Sequence, residues 1–192
     1  LPVGRLICAS NSNKVLADVL ATGVYDRQRD FVKTTSPSMD ILVSSNFERF
    51  YYAMTGGDVE KVRAAYADLA EKGCFKADAE AFAKWQTLMS GGYATEDRVA
   101  ATIKKYFNEQ AYALDPHTAV AVAVYLAQSG DKRPVVVAST ASPFKFGRAV
   151  LAALGEPVAA EETEAEILRR LSETIGQPIH QALRDLEQRP VL

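Results

Sequence analysis

Ser139, Thr140 and Ser142 place three hydroxyls in one short turn, between the apolar run Val135-Val136-Val137 and Pro143. A hydroxyl donates one hydrogen bond and accepts two, so such a turn can orient a small polar or phosphorylated ligand without reacting itself. Ser142 can cap the helix that follows. Pro143 suits that helix's first position, where a missing N–H costs nothing. The same arrangement recurs at Ser10-Asn11-Ser12-Asn13, at Ser36-Pro37, and at Asp115-Pro116 with His117 beside it. Taken singly, each turn is more simply a helix cap. Four polar turns that one sheet would gather on a single edge weaken that reading.

Reactive chemistry has no stand-alone candidate. His117 and His180 are remote from each other, and no H-E-x-x-H, C-x-x-C or G-x-S-x-G pattern occurs. The pairs Gly56-Gly57 and Gly91-Gly92 read as helix ends, not as phosphate loops after strands. Lys145 falls in the first turn of a helix, where a solvated or capping lysine is favoured over a Schiff-base lysine. Cys8 lies in an apolar run and reads as a buried thiol. Cys8 and Cys74 together point to no disulfide framework and no metal site.

The elements that must hold these turns follow a strand–turn–helix pattern. Strands are expected at Arg5–Ala9, Phe31–Thr35, Tyr112–Leu114 and Val135–Val137. The first leads to a helix carrying Val15, Leu16, Val19 and Leu20, with Gly23 as its stop. The second leads to a helix starting at Ser36-Pro37 and carrying Met39, Leu42, Phe47, Phe50, Tyr51 and Met54. The third leads to a helix from His117 to about Gln128. The last leads to one carrying Phe146, Ala149, Val150, Ala153 and Leu154, stopped by Gly155. Apolar strands alternating with amphipathic helices predict an α/β fold, a partial three-layer parallel sheet flanked by helices. In such sheets ligands sit at the carboxyl ends of the strands, where helix N-termini offer free N–H groups. Residues 58–108 read instead as an all-helical insertion without chemistry, and Glu161–Leu171 as a charged amphipathic helix.

Composition adds bounds. The chain has 192 residues, is 48% hydrophobic and 24% charged, and carries a net charge of −2, ordinary values for a globular protein able to form a core. With Lys and Arg scattered, nothing points to nucleic acid. No apolar run approaches the roughly 18 residues of a membrane span, and residues 1–10 do not read as a secretory signal, so no membrane partner and a cytoplasmic location are expected. The chain opens on Leu1 without an initiator methionine, and a fully apolar strand follows at once. That predicts a piece of a longer protein, with an unpaired sheet edge that would leave it marginally stable or self-associating.

The segment Ala138-Ser139-Thr140-Ala141-Ser142-Pro143-Phe144-Lys145-Phe146 resembles the Ser-Thr-Ala-x-Pro-x-Lys-Phe stretch of bacterial and fungal threonine synthases. Three more stretches agree in order: Ile7 to Leu16, Thr35 to Ile41 running into Ser44 to Arg49, and Leu114 to Val120. The match runs from residue 1 to about 155 and is weakest across the insertion. The resemblance implies that residues 1–192 form the C-terminal part of a fold-type II pyridoxal 5'-phosphate (PLP) enzyme, a lyase converting O-phospho-L-homoserine and water to L-threonine and phosphate. It implies a cofactor role for Thr140, whose hydroxyl would meet the pyridine nitrogen, and for Ser139 and Asn11. Ser36, Met39, Asp115 and His117 would border the substrate pocket. No catalytic residue is carried over, because the family's Schiff-base lysine and phosphate loop lie upstream of the matched segment. Some members carry histidine at Ser142, so no proton-transfer role is transferred there. Two other readings stay open: a threonine-synthase-like phospho-lyase acting on a related substrate, and a non-catalytic interaction domain with the same half-fold.

Overall fold

The computed structural model describes residues 3–128 and 133–184. In chain order its elements are β1 (Leu6–Ser10), α1 (Val15–Thr22), β2 (Val24–Asp26), a 3-10 turn (Pro37–Met39), α2 (Phe47–Met54), α3 (Val59–Lys72), β3 (Cys74–Lys76), α4 (Ala79–Leu88), β4 (Met89–Tyr93), α5 (Glu96–Gln110) and α6 (Pro116–Ala127). A second 3-10 turn (Pro143–Phe146), α7 (Gly147–Leu154), α8 (Glu164–Ile175) and a last 3-10 turn (Gln181–Leu183) complete the order.

The α/β class and the layered, parallel arrangement are as expected, but on a smaller sheet. Strands β1 and β4 pair in parallel, Leu6 opposite Met89 through Ser10 opposite Tyr93. Strands β2 and β3 form a separate antiparallel pair. The layering rests on two glycines. A Cβ on Gly91 would lie 2.7 Å from the Cα of Ala17 in α1, and one on Gly92 would lie 2.5 Å from Cγ1 of Val124 in α6. Successive strand residues face opposite sides of a sheet. Gly91 therefore admits α1 to one face, and Gly92 admits α6 to the other.

Two cores flank this centre. One is aromatic: Tyr25, Phe47, Tyr51, Phe75 and Trp85 are buried together, with Tyr25 stacked on Phe75 at 5.4 Å between ring centroids and edge-on to Phe47 at 5.3 Å. The Trp85 indole N–H donates to the Leu20 carbonyl at 3.3 Å, which satisfies the only polar group of that side chain. The other core joins α5, α6, α7 and α8 through Ile103, Val120, Val124, Val150, Leu151, Ile167 and Leu171.

Several expectations are corrected. Phe31–Thr35, Tyr112–Leu114 and Val135–Val137 are not strands, and Val136 is 95% exposed. An apolar β-branched run favours extended backbone, but a strand also needs a second backbone to pair with, which no local pattern supplies. Residues 58–108 are not all helical, since they contain β3 and β4, the latter being β1's parallel partner. The sequence Met89-Ser90-Gly91-Gly92-Tyr93 carries little strand propensity, so the glycines looked like helix ends when they are the crowded middle of the sheet. The helix expected from Pro37 is split into a 3-10 turn and α2, and Ser36 makes no cap. By contrast, Asp115 caps α6 as expected, and Ser142 Oγ accepts from the Phe144 N–H. The tail helix begins at Glu164, behind a capping box formed by Thr163 and Glu166.

Because the Gly91 contact is with backbone that cannot swing aside, Gly91→Ala should destabilise the chain by about 1–3 kcal/mol, read from the urea midpoint. A cost below about 0.5 kcal/mol, the size of an ordinary surface substitution, would show that α1 does not seat on β4 in this way.

Candidate functional site

Strands β1 and β4 end together at Ser10 and Tyr93, and the polar loops collect beyond that edge. Asn11 follows β1 and is fully buried. Its side-chain N–H groups donate to Asp40 Oδ1 at 2.7 Å, Thr34 Oγ1 at 2.9 Å and Ser36 Oγ at 3.1 Å. Its carbonyl accepts from the Asn13 N–H at 3.0 Å. Asn13 exchanges hydrogen bonds with the Val32 backbone, donating at 2.8 Å and accepting at 2.9 Å. Asp40 also accepts from the Thr34 hydroxyl at 2.6 Å and the Thr34 N–H at 2.9 Å. This web folds residues 32–40 over the end of β1. Glu96, at the start of α5, extends it by accepting the Thr35 N–H at 2.9 Å.

A second cluster forms at the start of α6. Asp115 is almost completely buried, and its Oδ1 accepts the N–H groups of His117 at 2.9 Å and Thr118 at 3.3 Å. Its Oδ2 accepts the Thr118 hydroxyl in a short hydrogen bond. That hydroxyl lies 3.0 Å from Ser139 Oγ. Thr118 has only one proton, already given to Asp115, so Ser139 must donate to Thr118 and keep its own lone pairs outward.

His117 ties the two clusters together. Its Nε2 accepts the Ser38 N–H at 3.3 Å, and its Nδ1 lies 3.2 Å from Asp115 Oδ1. A neutral ring with its proton on Nδ1 satisfies both contacts at once, a tautomer assigned from the partners. The ring also packs on Phe146 at 4.6 Å between centroids. The arrangement can therefore fix loop 36–39 against α6, but it holds neither a free base nor an activated nucleophile.

Among the expected site residues, Asn11 and Ser36 meet directly, and Asp115 reaches Ser139 through Thr118 and Ser38 through His117. Met39 lines a small cavity of about 110 Å³ together with Ser10, Asn13, Ser38 and Ile41. Ser139 and Thr140 are exposed, and no hydrogen bond joins either to Asn11, Ser36 or Met39. Thr34, Asp40, Glu96 and Thr118 are functional-type residues that sequence reading passed over. Asp40 and Thr118 stand inside motifs already quoted, but Glu96 lies in the segment read as having no chemistry. Lys145 is exposed, as a solvated lysine should be. Cys8 is half-buried, and burial pushes its thiol up, which makes it a poor nucleophile. Among the described residues no group of three or more His, Cys, Asp or Glu side chains could hold a metal ion, and no helix is long and apolar enough to cross a membrane.

The family model described as "Threonine synthase, C-terminal" matches residues 118–191. A threonine synthase from Corynebacterium glutamicum is 36% identical over 175 residues, which cover 88% of this chain and 36% of that protein. The crystal structure of a PLP-bound threonine synthase from Brucella melitensis matches with a TM-score of 0.78 at 35% identity, covering 91% of this chain and 40% of that one.

The chain is a relative of the threonine synthases.

The resemblance carried by the four motifs thus holds for sequence and fold alike. A second group of relatives is named threonine synthase-like 1. The protein of Macaca fascicularis is 35% identical over 184 residues, which cover 95% of this chain and 25% of that protein. The chain thus spans between a quarter and two fifths of the length of these relatives.

Thr118→Val should cost about 1–3 kcal/mol in a urea melt, because it removes a donor from the buried Asp115 carboxylate and unties Ser139. Thr118→Ser, which keeps the hydroxyl, should lose clearly less. Equal losses in the two variants would mean that packing, not the hydrogen bond, holds this turn.

Proposed function

We propose that this chain is the C-terminal part of a PLP-dependent threonine synthase, a fold-type II lyase that converts O-phospho-L-homoserine and water to L-threonine and phosphate. The observation that carries the reading is the fold likeness to a PLP-bound threonine synthase across nine tenths of the chain. When bound, PLP supplies the electron sink for proton loss and phosphate departure. The residues present fit the ring end of that cofactor. Thr140 offers an exposed hydroxyl for the pyridine nitrogen, and a hydroxyl there, unlike a carboxylate, leaves that nitrogen largely unprotonated. Beside it, Ser139 presents lone pairs whose direction is set by Thr118.

Asn11, Ser36, Asp115 and His117 act in this reading as the rigid wall behind the pocket. Their polar atoms are already engaged with one another and with neighbouring loops, so they orient the edge and leave proton transfer to other groups. Met39 contributes an apolar surface. The lysine that bonds the cofactor and the loop that holds its phosphate belong to the part of the enzyme outside this chain, and the chain alone is inactive. A cytoplasmic location accompanies the reading, as does self-association of the isolated chain through β1, where Leu6 and Ile7 are partly exposed.

The relatives named threonine synthase-like 1 favour a second reading, a phospho-lyase acting on a related phosphorylated amino alcohol. The whole enzyme given O-phosphohomoserine separates the two: threonine with phosphate supports the first, whereas 2-oxobutyrate, ammonia and phosphate support the second. For the 192-residue chain, incubation with PLP followed by borohydride should leave no stoichiometric pyridoxyl-lysine by mass spectrometry. Stoichiometric labelling at Lys145 or any other lysine would sink the claim that the reactive lysine lies elsewhere.

A further inference from the structure

A cleft of about 430 Å³ opens between α2 and α3, within the size range of small-ligand sites. It is lined by Glu48, Arg49 and Tyr52 from α2 and by Val59, Arg63 and Tyr66 from α3, with Val62 at its base. None of these residues takes part in the site at the strand ends. The Tyr66 ring is fixed against Phe75 at 5.9 Å, and its hydroxyl oxygen is buried without a hydrogen-bond partner among the described residues. A buried hydroxyl left unsatisfied is costly and calls for an acceptor that the described residues do not supply. Burial, and then the neighbouring Tyr25 and Glu48, hold the Tyr66 phenol well above its ordinary range, so it remains a proton donor.

The charges around this hydroxyl are of both signs. Among the described residues the Arg49 guanidinium is engaged only by the Asn46 side chain. Arg63 pairs with Glu60 at 3.0 Å, but both side chains are more than 70% exposed, and such a pair is weak enough to yield to a better-placed carboxylate. Glu48 stands on the same wall as Arg49, across the cleft from Arg63. It opposes a ligand with only negative charge and gives a partner to one that also carries an ammonium. Tyr52 and Val59, each 47% exposed, add apolar surface beside these charges.

We propose that the α2–α3 cleft binds a free α-amino acid with a short apolar side chain. The carboxylate meets Arg49, Arg63 and the Tyr66 hydroxyl, the ammonium meets Glu48, and the side chain rests on Tyr52, Val59 and Val62. This site is independent of the reaction proposed above and needs no cofactor.

The test is a titration of the 192-residue chain with L-valine, followed by calorimetry and by amide chemical shifts. Saturable binding is expected, with shifts concentrated in residues 48–52 and 59–66. Two valine analogues, 3-methylbutanoate without the ammonium and 2-methylpropylamine without the carboxylate, should each bind about tenfold more weakly, the effect of losing roughly one good polar contact. Tyr66→Phe should weaken valine binding by a similar factor while melting at no lower temperature, because the deleted hydroxyl has no partner among the described residues. Arg63→Gln, an exposed substitution, should also weaken binding without altering the melt. Absence of saturation, binding of 3-methylbutanoate as tight as that of valine, or undiminished binding by Tyr66→Phe would each overturn the proposal.

Discussion

Two adjacent positions without side chains, Gly91 and Gly92, set the constraint on which this architecture depends. Each glycine faces a helix that a single added methyl would push away, α1 on one side of the β1–β4 pair and α6 on the other. Interiors pack at near-crystalline density, so a helix held off a sheet by one methyl loses many weak contacts at once. Both helices begin beyond the carboxyl ends of the strands they cover. Seating them therefore brings the Asn11 loop and the Asp115 turn to the same edge. The site is a consequence of how closely three layers can approach.

At that edge, carboxylates are held in place without a Lys or Arg partner among the described residues. Asp40 and Asp115 take their hydrogen bonds from amides and hydroxyls, and Asp115 sits in addition at the N-terminal end of α6, where the helix dipole favours negative charge. Such an arrangement is directional as well as stabilising, because every donor is spent on a particular lone pair. His117 carries the direction across, from α6 to the Ser38 backbone, and Thr118 carries it to Ser139. A surface organised in this way suits holding a rigid flat ligand more than it suits moving protons. That division of labour is the one on which the proposed function rests.

The chain is similar to threonine synthases and to threonine-synthase-like proteins over almost all of its own length, yet spans between a quarter and two fifths of theirs. Leu6 and Ile7 on β1 and Val135 and Val136 near the Ser139 turn are apolar and partly or largely exposed. The aromatic residues Tyr25, Phe47, Tyr51, Phe75 and Trp85 under α2 to α4 are by contrast buried.

The sequence by itself determined the α/β class, the helices with strong punctuation, and the polar character of the ligand edge. Asp115-Pro116 and Ser142-Pro143 were legible because a cap and a proline act within one turn, and Gly23 and Gly155 because a left-handed stop is a local matter. The four ordered motifs were legible because they are contiguous. Which extended runs became strands was decided only in three dimensions. Val135–Val137 has the stronger intrinsic preference, yet Met89–Tyr93 is the strand, since strand pairing requires a partner distant in the chain and glycines confer no propensity while permitting the closest approach. Likewise, Ser36 reads as a cap, but its hydroxyl is drawn into the buried web with Asn11. The reach of Glu96 to Thr35 could not be read from two residues so far apart. Local chemistry is written in neighbouring residues, whereas pairing and burial depend on contacts that exist only once the chain has closed on itself.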